Sequence, residues 1–173
     1  IQFTIRQGET LGIVGKTGSG KTAILKLLMR EFEGYRGKIM YGGHSIVAYK
    51  KKSLRQAIGY VPQDHFLFST TVAGNIAFAN ADATMDEIYE AARLANIHDD
   101  ILQFTEGYNT IVGERGVSLS GGQKQRISIA RALMMRPELL ILDDSLSAVD
   151  ARTEEAILEA LKKSRTDETT IIT

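Results

Sequence analysis

The chain has 173 residues, 43% hydrophobic and 24% charged, with 21 basic groups against 21 acidic ones and no net charge. That is the make-up of one soluble globular domain, without the basic excess expected of a nucleic-acid surface. Having no cysteine, it has no disulfide framework and no cysteine metal site; no apolar run approaches the roughly 18 residues of a membrane helix, and no signal peptide opens it.

Ile1 to Ile5 alternates as a strand, and Gly8-Glu9 turns the chain into a second strand over residues 10–14. A helix is expected from Lys21 to about Glu31, with Gly34 and Gly37 closing that region. Residues 37–46 suggest a hairpin around Gly42-Gly43, and Ile58 to Val61 a further strand. From Asp64 to about Arg136 the pattern is helical. Thr84-Met85-Asp86-Glu87 is a capping box, followed by Ile88, Ala91, Ala92 and Ala95 at helical spacing. Asp99 to Phe104 reads as a short helix, and Ser120 to Met135 as a long one ended by Pro137. Leu139 to Leu142 is an apolar strand, Asp150 caps another helix, and Thr169 to Thr173 reads as a last strand. Strands and helices alternate at both ends around a helical middle. The expected fold is α/β, a parallel-sheet core with a small antiparallel part and a helical insertion. Both ends look like cuts through a longer polypeptide.

Gly15-Lys16-Thr17-Gly18-Ser19-Gly20-Lys21-Thr22 fits G-x-x-x-x-G-K-[ST], between an apolar strand and a helix. Its glycines let backbone N–H groups curl round a phosphate, and the helix N-terminus favours the anion. Lys21 is placed to reach the β- and γ-phosphates, and the Thr22 hydroxyl to ligate Mg²⁺. The bland alternative is a glycine-rich turn that happens to carry Lys-Thr.

The apolar strand 139–142 ends in Asp143 and Asp144. In P-loop enzymes the first such carboxylate holds Mg²⁺ with the loop's Ser/Thr, and parallel strands bring both to one sheet edge. A carboxylate one residue later can polarise an attacking water, worth ~10²–10⁴-fold in rate. Asp is one methylene shorter than Glu, setting the carboxylate about 1.5 Å farther back, and a misplacement near 1 Å can cost ~10²-fold. Ser120-Gly121-Gly122-Gln123 is at its simplest a capping box. Its two glycines, each disfavouring helix by about 1 kcal/mol, would be useful if bare N–H groups had to meet a phosphate.

Leu119 to Gln123 together with the P-loop resembles the nucleotide-binding domain of ABC (ATP-binding cassette) proteins. The likeness runs the length of the chain. Val61-Pro62-Gln63-Asp64 looks like the Q-loop, Arg136-Pro137 like the Pro-loop, Leu139 to Asp144 like the Walker B strand, and Ser147-Ala148-Val149-Asp150 like the D-loop. The resemblance implies a P-loop NTPase (RecA-like) core over about 1–63 and 137–173, with a helical subdomain over about 64–136. It implies ATP and Mg²⁺ as cofactors. It also implies a second such domain paired head to tail, so that each ATP lies between the P-loop of one and residues 119–123 of the other. Gln63 would then contact Mg²⁺ and the attacking water, alongside Thr22 and Asp143, and relay the nucleotide state to a membrane domain of the same polypeptide. The working place would be the cytoplasmic face of the cell membrane, with no nucleic-acid partner.

Gly113-Glu114-Arg115-Gly116 resembles an exporter X-loop, with Thr110-Ile111-Val112 replacing its first three residues. The segments His65-Phe66-Leu67-Phe68, Thr70-Thr71-Val72 and Asn75-Ile76 are also exporter-like, where the alternative is a generic helical surface. Asp144 stands where most members have the catalytic Glu. The adenine-stacking aromatic would precede Ile1, and the switch His would follow Thr173. His44, His65 and His98 are not substitutes, and His98, beside Asp99-Asp100, is expected to be a solvated surface group. An Asp in place of the Glu, with an intact signature, resembles the degenerate-site subunit of heterodimeric multidrug exporters. A non-transport member, for chromosome maintenance or at the ribosome, would call for a coiled coil or a basic face, and neither shows. A regulatory ATP-binding module without hydrolysis is the other alternative.

Overall fold

The computed structural model describes residues 1–114 and 116–173. Strand β1 (Thr10–Gly12) leads through the glycine-rich loop into helix α1 (Lys21–Leu28). Strands β2 (Met40–Tyr41) and β3 (His44–Ser45) pair antiparallel. Gly42 and Gly43 turn the hairpin with φ of 53° and 82°, the left-handed pair that a two-residue type I′ connection requires. Helix α2 (Lys51–Ala57) runs directly into β4 (Ile58–Val61). Next come α3 (Val72–Ile76), α4 (Met85–Leu94), α5 (His98–Leu102) and α6 (Gly121–Leu133), before β5 (Leu139–Leu142), α7 (Ala151–Ser164) and β6 (Thr169–Ile172).

The main sheet is parallel, in the order β1-β6-β5-β4. All four residues of β5 are buried. Leu139 and Ile141 pack with Leu25, Leu54 and Ile58 on one face. Leu140 and Leu142 pack with Ile127, Ile157 and Leu161 on the other. A strand covered on both faces reads as an unbroken apolar run because alternate residues enter different cores, each side chain adding about 1.5–3 kcal/mol by burial. Gly59 is required at its place on β4. A Cβ there would stand 2.7 Å from Pro137 Cγ, so the proline that follows α6 rests on the strand.

Two expectations change, and one helix was not foreseen. Residues 1–5 form no strand, because β1 pairs only with β6, and alternation without a ladder partner leaves backbone groups unpaired. Helix α2 lacks a legible periodicity, since Leu54 is its one buried residue. His98 is not a solvated surface group. It is half-buried, its Nδ1 is 2.8 Å from the Tyr108 hydroxyl, and its ring packs edge-on against Tyr89. None of the helices described is long and apolar enough to cross a membrane.

The helical segment is tied together by a polar hub. Asn75 is fully buried. Its Oδ1 accepts from the Phe68 N–H at 2.9 Å and from Arg131 at 2.7 Å, and its Nδ2 donates to the carbonyls of Phe68 and Thr71. Arg131 of α6 also donates to the carbonyls of Asn75 and Phe66 and lies 5.2 Å over the Phe68 ring. The segment between β4 and α3 is thus held to α6 by charge-assisted bonds that converge on the buried Asn75. Asn75→Ala leaves the Phe68 N–H and the Arg131 guanidinium without their partner. We expect a loss of about 3 kcal/mol in urea unfolding followed by circular dichroism; a loss below about 0.5 kcal/mol would remove the hub from this account.

Candidate functional site

The carboxyl ends of all four parallel strands lie on one sheet edge, and β1, β4 and β5 each continue into a segment singled out in the sequence. After β1 comes the loop 15–20. Gly18 and Gly20 take φ of 80° and 93°, and a Cβ on Gly15 would lie 2.6 Å from Ser19 Oγ. The curl at Gly18 and Gly20 therefore calls for glycine, while a side chain at Gly15 would have to displace the Ser19 hydroxyl. Gly15, Lys16, Thr17, Gly18, Ser19 and Gly20 are exposed, and α1 begins at Lys21. Lys21 Nζ donates to the carbonyls of Gly15 at 2.8 Å and Lys16 at 3.4 Å, which sets the ammonium within the loop.

After β5 come Asp143 and Asp144. Asp143 is 2% exposed. It accepts hydrogen bonds from the hydroxyls of Thr22 at 3.1 Å, Tyr60 at 2.9 Å and Thr173 at 3.0 Å. Burial, and then the bond to Asp143, push the Tyr60 phenol well above its usual value, so it remains a donor at any working pH. Asp144 takes φ of 48°, a left-handed backbone that Asp tolerates better than most residues. Its N–H donates to Thr173 Oγ1, and its Oδ2 accepts from Gln63 Nε2 at 3.0 Å. Gln63, two residues beyond β4, is thus joined to Asp144. Beside it, His65 is half-buried, and burial holds its imidazole below the ordinary value against the opposing pull of Asp64 and Asp144.

The segment 119–123 opens α6. Ser120 and Gln123 form a reciprocal capping box, with bonds of 3.2 and 3.0 Å. The structure supplies a reason for Gly122 that its sequence context did not. A Cβ there would meet the carbonyl oxygen of Ala148 at 2.9 Å, so α6 starts in contact with residues 147–149. Gln125, 1% exposed, strengthens that contact. Its Oε1 accepts from the Ala148 N–H, its Nε2 donates to Ser147 Oγ, and Ser147 in turn donates to the Asp144 carbonyl. Gln123 Nε2 reaches Asp100 Oδ2 at 3.3 Å, and Arg126 pairs with the same carboxylate at 2.7 Å.

Thr22 and Asp143 meet, as do Gln63 and Asp144, while Ser120 to Gln123 stand against the segment that follows Asp144. Gln63 shows no hydrogen bond to Thr22 or Asp143 among the described residues. Of the exporter-like loop, Gly113 and Glu114 are described, and Arg115 lies outside the described residues. Tyr60, Thr173, Asp100 and Gln125 were missed. Tyr60 reads as one more apolar strand residue, and the others sit outside any motif. The donors near Asp143 are hard oxygens, which suit Mg²⁺. The described residues hold no cluster of three or more acidic or His side chains, as befits an ion that takes few protein ligands beside phosphate oxygens.

Residues 1–147 match the family described as ABC transporter. The chain is 54% identical over 172 residues to the probable multidrug resistance ABC transporter ATP-binding/permease protein YheI of Bacillus subtilis, covering 99% of this chain and 29% of that protein. It is 51% identical over 172 residues to the multidrug resistance-like ATP-binding protein MdlA of Escherichia coli, with the same shares of 99% and 29%. Among solved structures it is similar to a bacterial Atm1-family ABC exporter with ATP bound. The TM-score is 0.90 and the identity 43%, over 95% of this chain and 29% of that one. The chain therefore spans under a third of the length of the relatives it matches. If the loop 15–22 is a triphosphate cradle, Lys21→Ala weakens MgATP binding by at least about tenfold, ~1.4 kcal/mol, in calorimetric titration; an unchanged Kd would refute the assignment.

Proposed function

Because the chain belongs to the ABC transporter family, we propose that it is the ATP-binding and ATP-hydrolysing motor domain of a multidrug exporter, and that its own nucleotide site is the weaker of a heterodimeric pair. The observation that carries this reading is the meeting of Thr22 with Asp143, and of Gln63 with Asp144, at the sheet edge where the glycine loop opens. The names of the relatives support the exporter assignment. In this reading residues 1–63 and 137–173 are the nucleotide-binding core and 64–136 a helical subdomain.

The backbone N–H groups of residues 15–20 and the Lys21 ammonium bind the triphosphate. Thr22 and Asp143 hold Mg²⁺, which when bound neutralises charge on the phosphate oxygens. Gln63 fixes one oxygen of Asp144 by its amide, leaving the carboxylate as the group able to accept a proton from an attacking water. A Glu would carry that carboxylate one methylene farther out, so the Asp sits back from the phosphorus and the rate falls. Ser120 to Gln123 are intact and complete the site of a second nucleotide-binding domain, which brings the usual Glu. The membrane domain belongs to the same polypeptide, and the pair works at the cytoplasmic face of the membrane. The same Asp144 favours a second reading, a regulatory module that binds ATP without cleaving it. Single-turnover hydrolysis at this site separates the two.

In the assembled heterodimer, Asp144→Asn changes total ATPase by less than ~10-fold, about 1.4 kcal/mol, because the partner's site supplies most turnover. A larger loss in steady-state phosphate release would make Asp144 the working base. Ser120→Arg suppresses hydrolysis at the partner's site by placing a bulky cation where the seryl hydroxyl meets phosphate. Unchanged turnover in the mixed dimer would reject the shared site.

A further inference from the structure

We propose that Tyr60 of β4 and Thr173, the residue directly after β6, are positioning residues that lock the Asp143 carboxylate for the metal and hold the Asp144 backbone beside it. The inference rests on the reading of Asp143 as a metal ligand.

The register places the groups. Tyr60 pairs with Ile141 across β4–β5, and Ile171 pairs with Ile141 across β5–β6. Ile141 and Ile171 both enter the core beneath α1. With alternation of period two, Asp143 and Thr173 project on that same face, two residues farther along their strands. Thr22 stands on α1, above it. The carboxylate is therefore approached from three sides by three separate elements, each carrying one hydroxyl.

The bonds divide its two oxygens unequally. Oδ1 accepts from Thr22 and Thr173, and Oδ2 accepts from Tyr60. An ionised carboxylate offers about four lone-pair sites. Three are taken, which holds the carboxylate against rotation and leaves one acceptor site, on Oδ2. Thr173 acts twice, because the same oxygen accepts the Asp144 N–H at 2.9 Å. That bond steadies a residue whose φ of 48° is intrinsically disfavoured. Tyr60 also ties the ion's carboxylate to the strand that continues through Val61 and Pro62 to Gln63, so a shift of Gln63 along β4 is felt at Asp143.

The test uses the full-length transporter and compares ATP binding in Mg²⁺ with ATP binding in EDTA. Partners that orient a metal ligand typically contribute 10–100-fold in metal affinity. Tyr60→Phe and Thr173→Val are expected to raise the Mg²⁺ midpoint by about that factor while leaving the EDTA Kd for ATP unchanged. Thr173→Ser, which keeps the hydroxyl, restores the original midpoint. A loss of packing alone would lower thermal stability and raise the Mg²⁺ midpoint and the EDTA Kd together, without Ser rescue. Unchanged Mg²⁺ midpoints in both variants, or a Thr173→Ser that behaves like Thr173→Val, would overturn the proposal. Asp143→Asn separates it from its premise. If that change leaves the Mg²⁺ dependence intact, the metal-ligand reading fails; if it abolishes the dependence while Tyr60→Phe and Thr173→Val are silent, only the positioning role falls.

Discussion

The hydrogen bond from the Thr22 hydroxyl to the Asp143 carboxylate joins residues 121 positions apart in the chain, and the arrangement of the sheet serves to make it. A buried carboxylate is costly unless every oxygen finds donors. Here the donors come from α1, β4 and β6, so the acid is stable only when these three elements are docked on β5. Folding of the sheet and assembly of the edge are therefore one event. The apolar residues of β5 supply the driving force on both faces, and the register they set brings the polar pair together at its end.

A second constraint operates at the start of α6. Gly122 admits the Ala148 carbonyl, and Gln125 fastens Ser147 and Ala148 from within. Ser147 then reaches the Asp144 carbonyl. A run of hydrogen bonds thus links Gln125, early in α6, to the acidic end of β5. Such a run has the rigidity needed to make a displacement at one end register at the other, whereas exposed surface pairs such as Arg136–Glu87 do not. Asn75 and Arg131 do the same for the segment following Gln63, whose aromatic side chains Phe66 and Phe78 remain exposed.

Local chemistry was legible where it is dictated by neighbours in sequence. The glycine loop, the capping boxes at Thr84 and Ser120, the Gly42-Gly43 turn and the apolar β5 each follow from backbone sterics or periodicity over a few residues. What was not legible depends on partners far along the chain. Ile1 to Ile5 alternates as a strand should, yet finds no ladder. His98 stands next to two acids and still turns inward to Tyr108, because α5 packs that side against Tyr89.

The sequence by itself determined the α/β order of elements, the glycine loop before α1, the acids after β5 and the family likeness, since these are written in contiguous residues and their spacing. Only the tertiary structure decided that Tyr60 and Thr173 share the Asp143 carboxylate, that Gln63 is joined to Asp144, and that Gly122 makes room for Ala148. The physical reason is that hydroxyl-to-carboxylate bonds and backbone close approaches have no periodicity in sequence. They arise when parallel strands align their carboxyl ends, and that register is set by the packing of two apolar cores against one strand.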